Sequence, residues 1–263
     1  MLRKEFKSNL KSFIIWTSIL IVIFLVVYLV YPYIITDDTM ASLDEMLKVF
    51  PSELLKAFNM DISSINTAYG WLKSEGLMFV LLIIGFYSSM LGSNVLLKEE
   101  NDKTIEYLGT LPIKRSKIVT NKVIVSITYI ISMTLILGIF NYIFLSISCE
   151  FNKLEFLLLS ITPILIGIPL FGINLFISTF MHKTKKTVGI SLGLVFIFYL
   201  INVLSELSSN VEVLKYFTIY SLAPTRDIIE TQSIGFINIF VSILLSIIFI
   251  FLSYIRYNKK ELV

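Results

Sequence analysis

The sequence predicts an all-helical integral membrane protein with six transmembrane helices. Hydrophobic residues make up 56% of its 263 residues, charged residues account for only 16%, and the mean hydropathy is +0.84. These values lie outside the range of soluble domains. An apolar segment of about 20 residues spans the hydrocarbon core of a bilayer as a helix, because a helix satisfies its own backbone hydrogen bonds.

Six such segments occur along the chain, and none of them contains a charged residue or a histidine. They are Phe13–Ile35, Leu77–Leu97, Val123–Ser148, Phe156–Met181, Val188–Leu204 and Phe236–Tyr254. The first is longer than the apolar part of a secretory signal sequence, and we expect it to remain as an anchor. The whole chain, residues 1–263, is therefore predicted to form a single transmembrane domain.

The distribution of basic residues predicts the orientation of the protein. Sixteen of the 22 Lys and Arg residues lie in the N-terminal tail, in the 98–122 and 182–187 loops, and in the C-terminal tail. The remaining six lie in the alternate connections, 36–76, 149–155 and 205–235. Basic residues that merely flanked the helices would divide evenly. The positive-inside rule therefore places both termini in the cytoplasm and 36–76 outside the cell.

Two segments outside the spans have amphipathic patterns. Within residues 1–12, apolar side chains recur at four-residue spacing among basic ones, which predicts an interfacial helix at the inner membrane surface. Such a helix also suits a simple basic anchor for anionic lipids. The first part of the 36–76 connection has an apolar face suited to the outer surface.

The 98–122 loop carries charged residues in an otherwise apolar chain and is predicted to form a helical elbow. Thr104 can cap a short helix, Glu106 lies in its first turn, and Pro112 ends it. Ile105 and Leu108 give the elbow an apolar aspect. A solvated loop between two helices is one interpretation of this segment, and a docking element for a soluble partner is the other.

The segment from Glu99 to Lys122 resembles the signature E-x-x-x-G-T-x-E-x-L-x-x-x-P-x-x-R…K of ABC-2-type permeases. The matching residues are Glu99, Thr104, Glu106, Leu108, Pro112, Arg115 and Lys122. Lys103 stands where the signature has Gly, so a less tight turn is expected there. In layout, with six spans and both termini inside, the resemblance extends over nearly the whole chain.

The resemblance implies an ABC-2 (type V exporter-like) architecture and an exporter of the plasma membrane. The elbow would be the coupling helix that docks on a cytosolic ATP-binding cassette subunit, and the implied docking residues are Glu99, Glu100, Thr104, Ile105, Glu106, Leu108, Pro112 and Arg115. Two such subunits, which bind ATP and Mg, would serve a dimer of this chain with itself or a paralogue. The apolar spans favour an amphiphilic or hydrophobic substrate, such as a peptide, drug or lipid.

The residues for other chemistry are missing from the sequence. None of the eleven glycines is followed by Lys, so there is no P-loop for ATP. His182 is the single histidine and is predicted to be solvated, and Cys149 is the single cysteine. We therefore predict no catalytic site, no metal, no bound cofactor and no nucleic-acid partner, and we expect membrane lipids as surroundings. The alternatives are an ion-coupled or passive carrier, although the spans lack the usual ionisable residue, and a non-transporting scaffold or sensor.

Small residues and prolines indicate where the helices pack closely or bend. Gly189 and Gly193 form a GxxxG motif in the fifth span, which suits packing within the chain or contact with a second protomer. A second small-residue stripe, Gly85, Ser89 and Gly92, lies on the second span. Prolines and glycines in the fourth span predict a loosened helix and allow a hinge.

Overall fold

A computed structural model describes residues 2–34, 49, 67–104, 114–207 and 209–260 of the chain. Most of the predicted 36–76 connection and residues 105–113 of the elbow, which include Ile105, Glu106, Leu108 and Pro112, lie outside the described residues.

The six predicted transmembrane helices are confirmed, and every described element is helical. The long helices are α1 (Leu2–Ile34), α2 (Ala68–Val95), α4 (Arg115–Ser148), α5 (Lys153–Ser178), α6 (Thr184–Leu207) and α8 (Phe236–Lys259); the short ones are α3 (Lys98–Asn101), α7 (Thr225–Thr231) and two 3-10 helices, Ser209–Phe217 and Tyr220–Leu222. Because the spans alternate in direction, the first and last described residues lie at one end of the bundle. We call this end the termini side.

The first helix is longer than the sequence predicted. A separate interfacial helix over residues 1–12 was expected, but α1 continues without a break for 33 residues. At 1.5 Å per residue it is about 50 Å long, which exceeds the hydrocarbon core of about 30 Å. Glu5 and Asn9, in its first turns, are buried against the rest of the protein, whereas Leu2 and Leu10 are exposed. The contacts of this polar face hold the N-terminal turns in line with the span.

The second long helix begins nine residues before the predicted apolar segment. The side chain of Thr67 accepts a hydrogen bond from the Gly70 amide and caps the helix, and a π-helical turn follows at Leu72–Gly76. This turn brings two charged residues, Lys73 and Glu75, into the helix. The predicted segment Leu77–Leu97 itself contains no charged residue, but the longer helix that includes it does.

Lys73 is tolerated because it has a partner. Its Nζ lies 3.1 Å from Glu155 Oε1 of α5 and 5.2 Å from the centroid of the Tyr69 ring. In addition, α2 is about 42 Å long, so its first turns extend beyond the hydrocarbon core. The structure thus accommodates a charge pair at the end of the bundle opposite the termini.

The small-residue stripe of α2 packs against α5. A β-carbon added to Gly92 would meet backbone atoms of Phe171 and Leu175, so only glycine allows this approach. Ser89 Oγ accepts a hydrogen bond of 2.9 Å from the amide of Asn174, which is fully buried. Close backbone approach and interhelical hydrogen bonds are the usual means of helix association in membranes. The α2–α5 pair forms the centre of the bundle.

Pro163 and Pro169 lie inside α5, and each deprives the carbonyl four residues earlier of its helical donor. The carbonyl of Leu159 accepts instead from Thr162 Oγ1 at 2.7 Å. The carbonyl of Leu165 accepts from Ser242 Oγ of α8 at 2.8 Å. Hydroxyl groups thus replace both missing amides, as is required where no water is available.

Because Ser242 bonds to another helix, we predict that replacing it destabilises the protein more than replacing Ser246, a second buried serine of α8. We expect Ser242→Ala to destabilise the protein by about 0.6–1.7 kcal/mol, since the Leu165 carbonyl loses its partner. Ser246→Ala is the matched control, because Ser246 Oγ donates to Ser242 O of its own helix. Thermal unfolding in detergent micelles measures both variants, and equal melting temperatures would contradict the assignment.

The connection between α6 and α8 enters the bundle instead of lying on its surface. Ile219, Tyr220, Leu222 and Ile228 are buried, and the Tyr220 ring lies 5.6 Å from that of Tyr199. The Tyr220 hydroxyl occupies the space beside Gly85, which is about 15 Å along α2 from its end at Val95. The sequence had indicated only an outer connection here. We call residues 209–231 the returning segment.

Candidate functional site

The elbow begins at a break in the helix that leads into it. α2 ends at Val95, and Leu96 and Leu97, both fully buried, form a turn before α3. The Val95 carbonyl, located at this break, accepts a hydrogen bond of 2.6 Å from Lys122 Nζ of α4. The Lys122 side chain is completely inaccessible to solvent. A buried ammonium group therefore caps the end of α2.

The same ammonium group pairs with two carboxylates. Lys122 Nζ lies 2.6 Å from Glu99 Oε1 of α3 and 3.4 Å from Glu5 Oε1 of α1. Both side chains are largely buried. Removing one partner from a buried ion pair leaves an uncompensated charge in a medium of low polarity. Lys122 thus ties α1, α2, α3 and α4 together.

Glu100 forms a second set of contacts beside the first, an ion pair with Lys260 and a polar contact with His182. Its Oε1 lies 2.7 Å from Lys260 Nζ, and its Oε2 lies 3.3 Å from Nδ1 of His182. Lys260 also donates to the carbonyl of Met181 at 2.7 Å. The His182 side chain is 56% exposed, as predicted for a solvated residue, although it contacts a carboxylate that is only 2% exposed.

These two sets form one assembly on the termini side, which we call the ion-pair cluster. Its members are Glu5, Glu99, Glu100, Lys122, His182 and Lys260. It joins α1, α3, α4, the connection that precedes α6 and the end of α8. Further polar contacts connect the same elements: Lys98 contacts the hydroxyl of Ser8, and Asn101 contacts the hydroxyl of Thr184.

Arg115 begins α4 immediately after the elbow. Its guanidinium donates to the carbonyls of Lys260 at 2.8 Å and Asn258 at 3.4 Å, at the C-terminal end of α8. A cation at this position satisfies carbonyls that a helix leaves free and complements the helix dipole. The described residues on both sides of the elbow are therefore attached to the C-terminal end of the chain.

The turn at Lys103 is tight even though glycine is absent. Lys103 has a φ of 53°, in the left-handed region that glycine favours. The Thr104 amide donates to Glu99 O at 2.9 Å and the Lys103 amide donates to Glu100 O at 3.3 Å. These two bonds define a Schellman motif that closes α3. The loosening expected from Lys in place of Gly is not seen at Lys103, and this left-handed conformation costs a non-glycine residue about 1–2 kcal/mol.

The structure changes the interpretation of several predicted site residues. Glu99 and Glu100 were expected to orient a soluble partner, but their carboxylates point inward and bind cations of the same chain. Arg115 likewise caps α8, and Thr104 ends one helical turn through its backbone. The remaining docking residues of the elbow lie among residues 105–113, outside the described part, so their role stays a prediction.

Sequence reasoning missed Glu5, Lys260 and the role of Lys122. Glu5 is the single acid among the basic residues of the N-terminal tail, and Lys122 directly precedes a long apolar segment. Both features could be recognised in the sequence. The contact between these residues could not be recognised, because partners so distant in sequence meet only through the packing of α1, α4 and α8. Among the described residues, no group of three or more His, Cys, Asp or Glu side chains could hold a metal ion.

The GxxxG motif of α6 faces away from the described protein. A β-carbon built on Gly189 or Gly193 has no described atom within 4 Å. Packing within the chain, one of the two interpretations of this motif, is therefore not seen in the part of the chain that the structure describes.

A family comparison decides what class of protein this is. The sequence matches the family described as "ABC-2 family transporter protein" over residues 1–262. The chain belongs to the ABC-2 family. The resemblance to ABC-2-type permeases is thereby confirmed, whereas a comparison with curated proteins finds no match. ABC-2 permeases are membrane components of transporters that generally work with a cytosolic ATP-binding subunit and are not themselves catalytic.

Proposed function

We propose that this ABC-2 permease exports an amphiphilic or hydrophobic substrate across the plasma membrane, driven by ATP that two separate cytosolic subunits hydrolyse. The ATP-binding subunits dock at residues 105–113. The observation that supports this most is the ion-pair cluster, which attaches the residues before the elbow to α1, α4 and α8. A displacement of the elbow by its partner therefore reaches three spans directly.

The proposed orientation places the termini side in the cytoplasm. Sixteen of the 22 basic residues belong to this side by sequence position, and the positive-inside rule supports the assignment. Only in this orientation does the elbow meet a cytosolic ATP-binding subunit.

Copurification tests the proposed function and the orientation together. An affinity-tagged chain, solubilised from its native membranes in mild detergent, should retain an ATP-binding cassette protein that carries a P-loop, identified by mass spectrometry. The purified complex should hydrolyse ATP, and a Lys→Ala change in that P-loop should abolish hydrolysis without releasing the subunit. A permease that elutes without any such subunit under conditions that preserve its fold would contradict the proposal.

The proposed assembly contains two permease protomers that meet through α6. The free face at Gly189 and Gly193 supports this, because small residues let two helices approach closely. We expect replacement of both glycines by Leu to abolish disulfide crosslinking between copies that carry Cys at Ile190 on a Cys149→Ser background. Crosslinking at the wild-type level in a monodisperse variant would exclude this face as the contact.

An ion-coupled carrier is a second candidate, and one observation favours it. Glu75 lies in the π-helical turn of α2, is partly buried, and its Oε1 has no hydrogen-bond partner. Glu75 lies two residues before the apolar segment that begins at Leu77, and ionisable residues in membrane-spanning helices mark ion pathways in many carriers. Substrate transport that persists without the ATP-binding subunit, and that Glu75→Gln removes, would favour this candidate over the first.

A further inference from the structure

A cavity of about 790 Å³ lies between α6 and α8, away from the ion-pair cluster. The returning segment, residues 209–231, closes much of it, and Ile173 of α5 contributes to its wall. Sites for small molecules usually enclose about 300–1,000 Å³. The cavity is therefore large enough for an organic ligand.

The inner part of the cavity is apolar. It is lined by Phe198 of α6 and by Val241, Leu245 and Phe249 of α8. Phe249 lies about 20 Å along α8 from its first residue, so the cavity reaches the depth of the hydrocarbon core. Such a wall suits an alkyl chain.

The two basic side chains at the mouth of the cavity are already paired. Lys215 Nζ lies 2.5 Å from Glu212 Oε1, which also lines the cavity. Arg226 Nε lies 3.2 Å from Glu230 Oε1, which does not line it. Each cation therefore has one carboxylate within ion-pair distance.

Two other carboxylates at the mouth have no cation within ion-pair distance among the described residues. Glu206 accepts a hydrogen bond of 2.9 Å from the amide of Asn202, and Asp227 lies at the start of α7. Both line the cavity. Three carboxylates and two cations line the cavity, so its mouth carries an excess of negative charge, which favours a cationic ligand.

Aromatic rings surround the same space. Tyr216, Phe217 and Tyr220 of the returning segment line the cavity together with Phe198 and Phe249. Tyr216 and Phe217 are 78% and 66% exposed. Aromatic faces beside carboxylates are the usual environment of a bound quaternary ammonium group, which the ring quadrupole attracts.

From this combination we propose that the cavity binds an amphiphilic cation. The alkyl chain lies between α6 and α8, and the ammonium group lies between Glu206 and Asp227 near the aromatic rings. This inference goes beyond the proposed function, because the site is formed by the permease chain alone and needs neither ATP nor an ATP-binding subunit.

Equilibrium binding to the full chain in lipid nanodiscs tests the proposal without the ATP-binding subunit. The probe is radiolabelled dodecyltrimethylammonium, and empty nanodiscs of the same composition measure its partition into lipid. We expect saturable binding above this background. Dodecyl sulfate, which has the same chain and the opposite charge, and tetramethylammonium, which has no chain, should each displace the probe at least ten times less effectively than the unlabelled compound.

Variants of the cavity locate the binding. Glu206→Gln combined with Asp227→Asn should weaken binding at least tenfold, and Val241→Trp, which fills the apolar part, should abolish it. Glu150→Gln, an exposed acid that does not line the cavity, is the matched control. Glu206→Asp with Asp227→Glu keeps both charges and should retain binding, which separates loss of charge from loss of fold.

Three results would overturn the proposal: uptake no greater than that of empty nanodiscs, equal displacement by dodecyl sulfate, or wild-type affinity in the Glu206→Gln, Asp227→Asn variant. None of these outcomes depends on whether the chain couples to an ATPase. Failure of this proposal would therefore not contradict the proposed function.

Discussion

Lys122→Met should destabilise the protein by about 3–5 kcal/mol, the usual result of removing one partner from a buried ion pair. The Lys122 ammonium bonds to Glu99, to Glu5 and to the Val95 carbonyl, and no solvent reaches it. Without it, two carboxylates face one another uncompensated and the end of α2 loses its cap. A loss of this size is a large part of a typical net stability of about 5–15 kcal/mol. The melting temperature and the monodisperse fraction in detergent should both fall sharply.

Two further variants distinguish the effect of losing the ion pair from the effect of losing a lysine. Lys117→Met, five residues earlier on the same helix, removes an exposed lysine and should leave the melting temperature nearly unchanged. Adding Glu99→Gln to Lys122→Met removes one of the two stranded charges and should recover part of the stability. A Lys122→Met protein that melts like the wild type would show that the ion-pair cluster does not stabilise this end of the bundle.

Glu106→Lys should largely abolish binding of the ATP-binding subunit while leaving the permease folded. The change places a cation near the positive end of the predicted short helix, which costs about 0.3–1 kcal/mol. It also reverses a charge in the proposed interface, where like charges cost several kcal/mol, and this second effect dominates. Copurification of the ATP-binding subunit and ATP hydrolysis by the complex should fall together.

Leu108→Asp tests the apolar part of the same contact and should also release the subunit. Glu150→Lys, the same charge reversal at an exposed acid on the opposite side of the bundle, is the control and should bind normally. Neither Glu106 nor Leu108 is a member of the ion-pair cluster or of an apolar span, so both variants should melt like the wild type. Retention of the subunit at the wild-type level by both would show that the elbow is only a solvated loop.

The structure gives separate reasons for different positions of the ABC-2 signature. Glu99 and Lys122, its first and last matching residues, bind each other at 2.6 Å. Arg115 caps the end of α8. These three positions therefore stabilise the residues on either side of the elbow, and the proposed contact with the ATP-binding subunit is left to the residues between them. Variants at Glu99 and at Glu106 should accordingly fail in different ways, the first in stability and the second in binding.

Much of the fold could be predicted because few backbone conformations are stable across a bilayer. Residues without charge over about 20 positions form a helix wherever they span a membrane, so the six helices followed from composition alone. The helix ends were less predictable. α2 starts at Ala68 because Thr67 caps it and Glu155 neutralises Lys73, and neither contact can be deduced from apolar periodicity.

The candidate site was predictable in part. The charge pattern drew attention to the 98–122 loop, which holds Glu99, Glu100 and Lys122, whereas the tight turn at Lys103 was not expected. The pattern did not show which charges face inward. An acid in a loop has the same sequence context whether it faces solvent or a buried lysine. Only the position of Lys260 at the end of α8 distinguishes Glu100 from an exposed carboxylate.

The sequence by itself therefore determined the class of protein, the six spans and the charged loop between the second and third of them, because these depend on the solvation of each segment taken alone. The tertiary structure decided which charges pair, that the returning segment packs beside Gly85, and that α6 and α8 leave a cavity between them. Those features arise from contacts between residues far apart in the chain. The free energy of these contacts depends on how the helices pack, and a local pattern of residues carries no information about that packing.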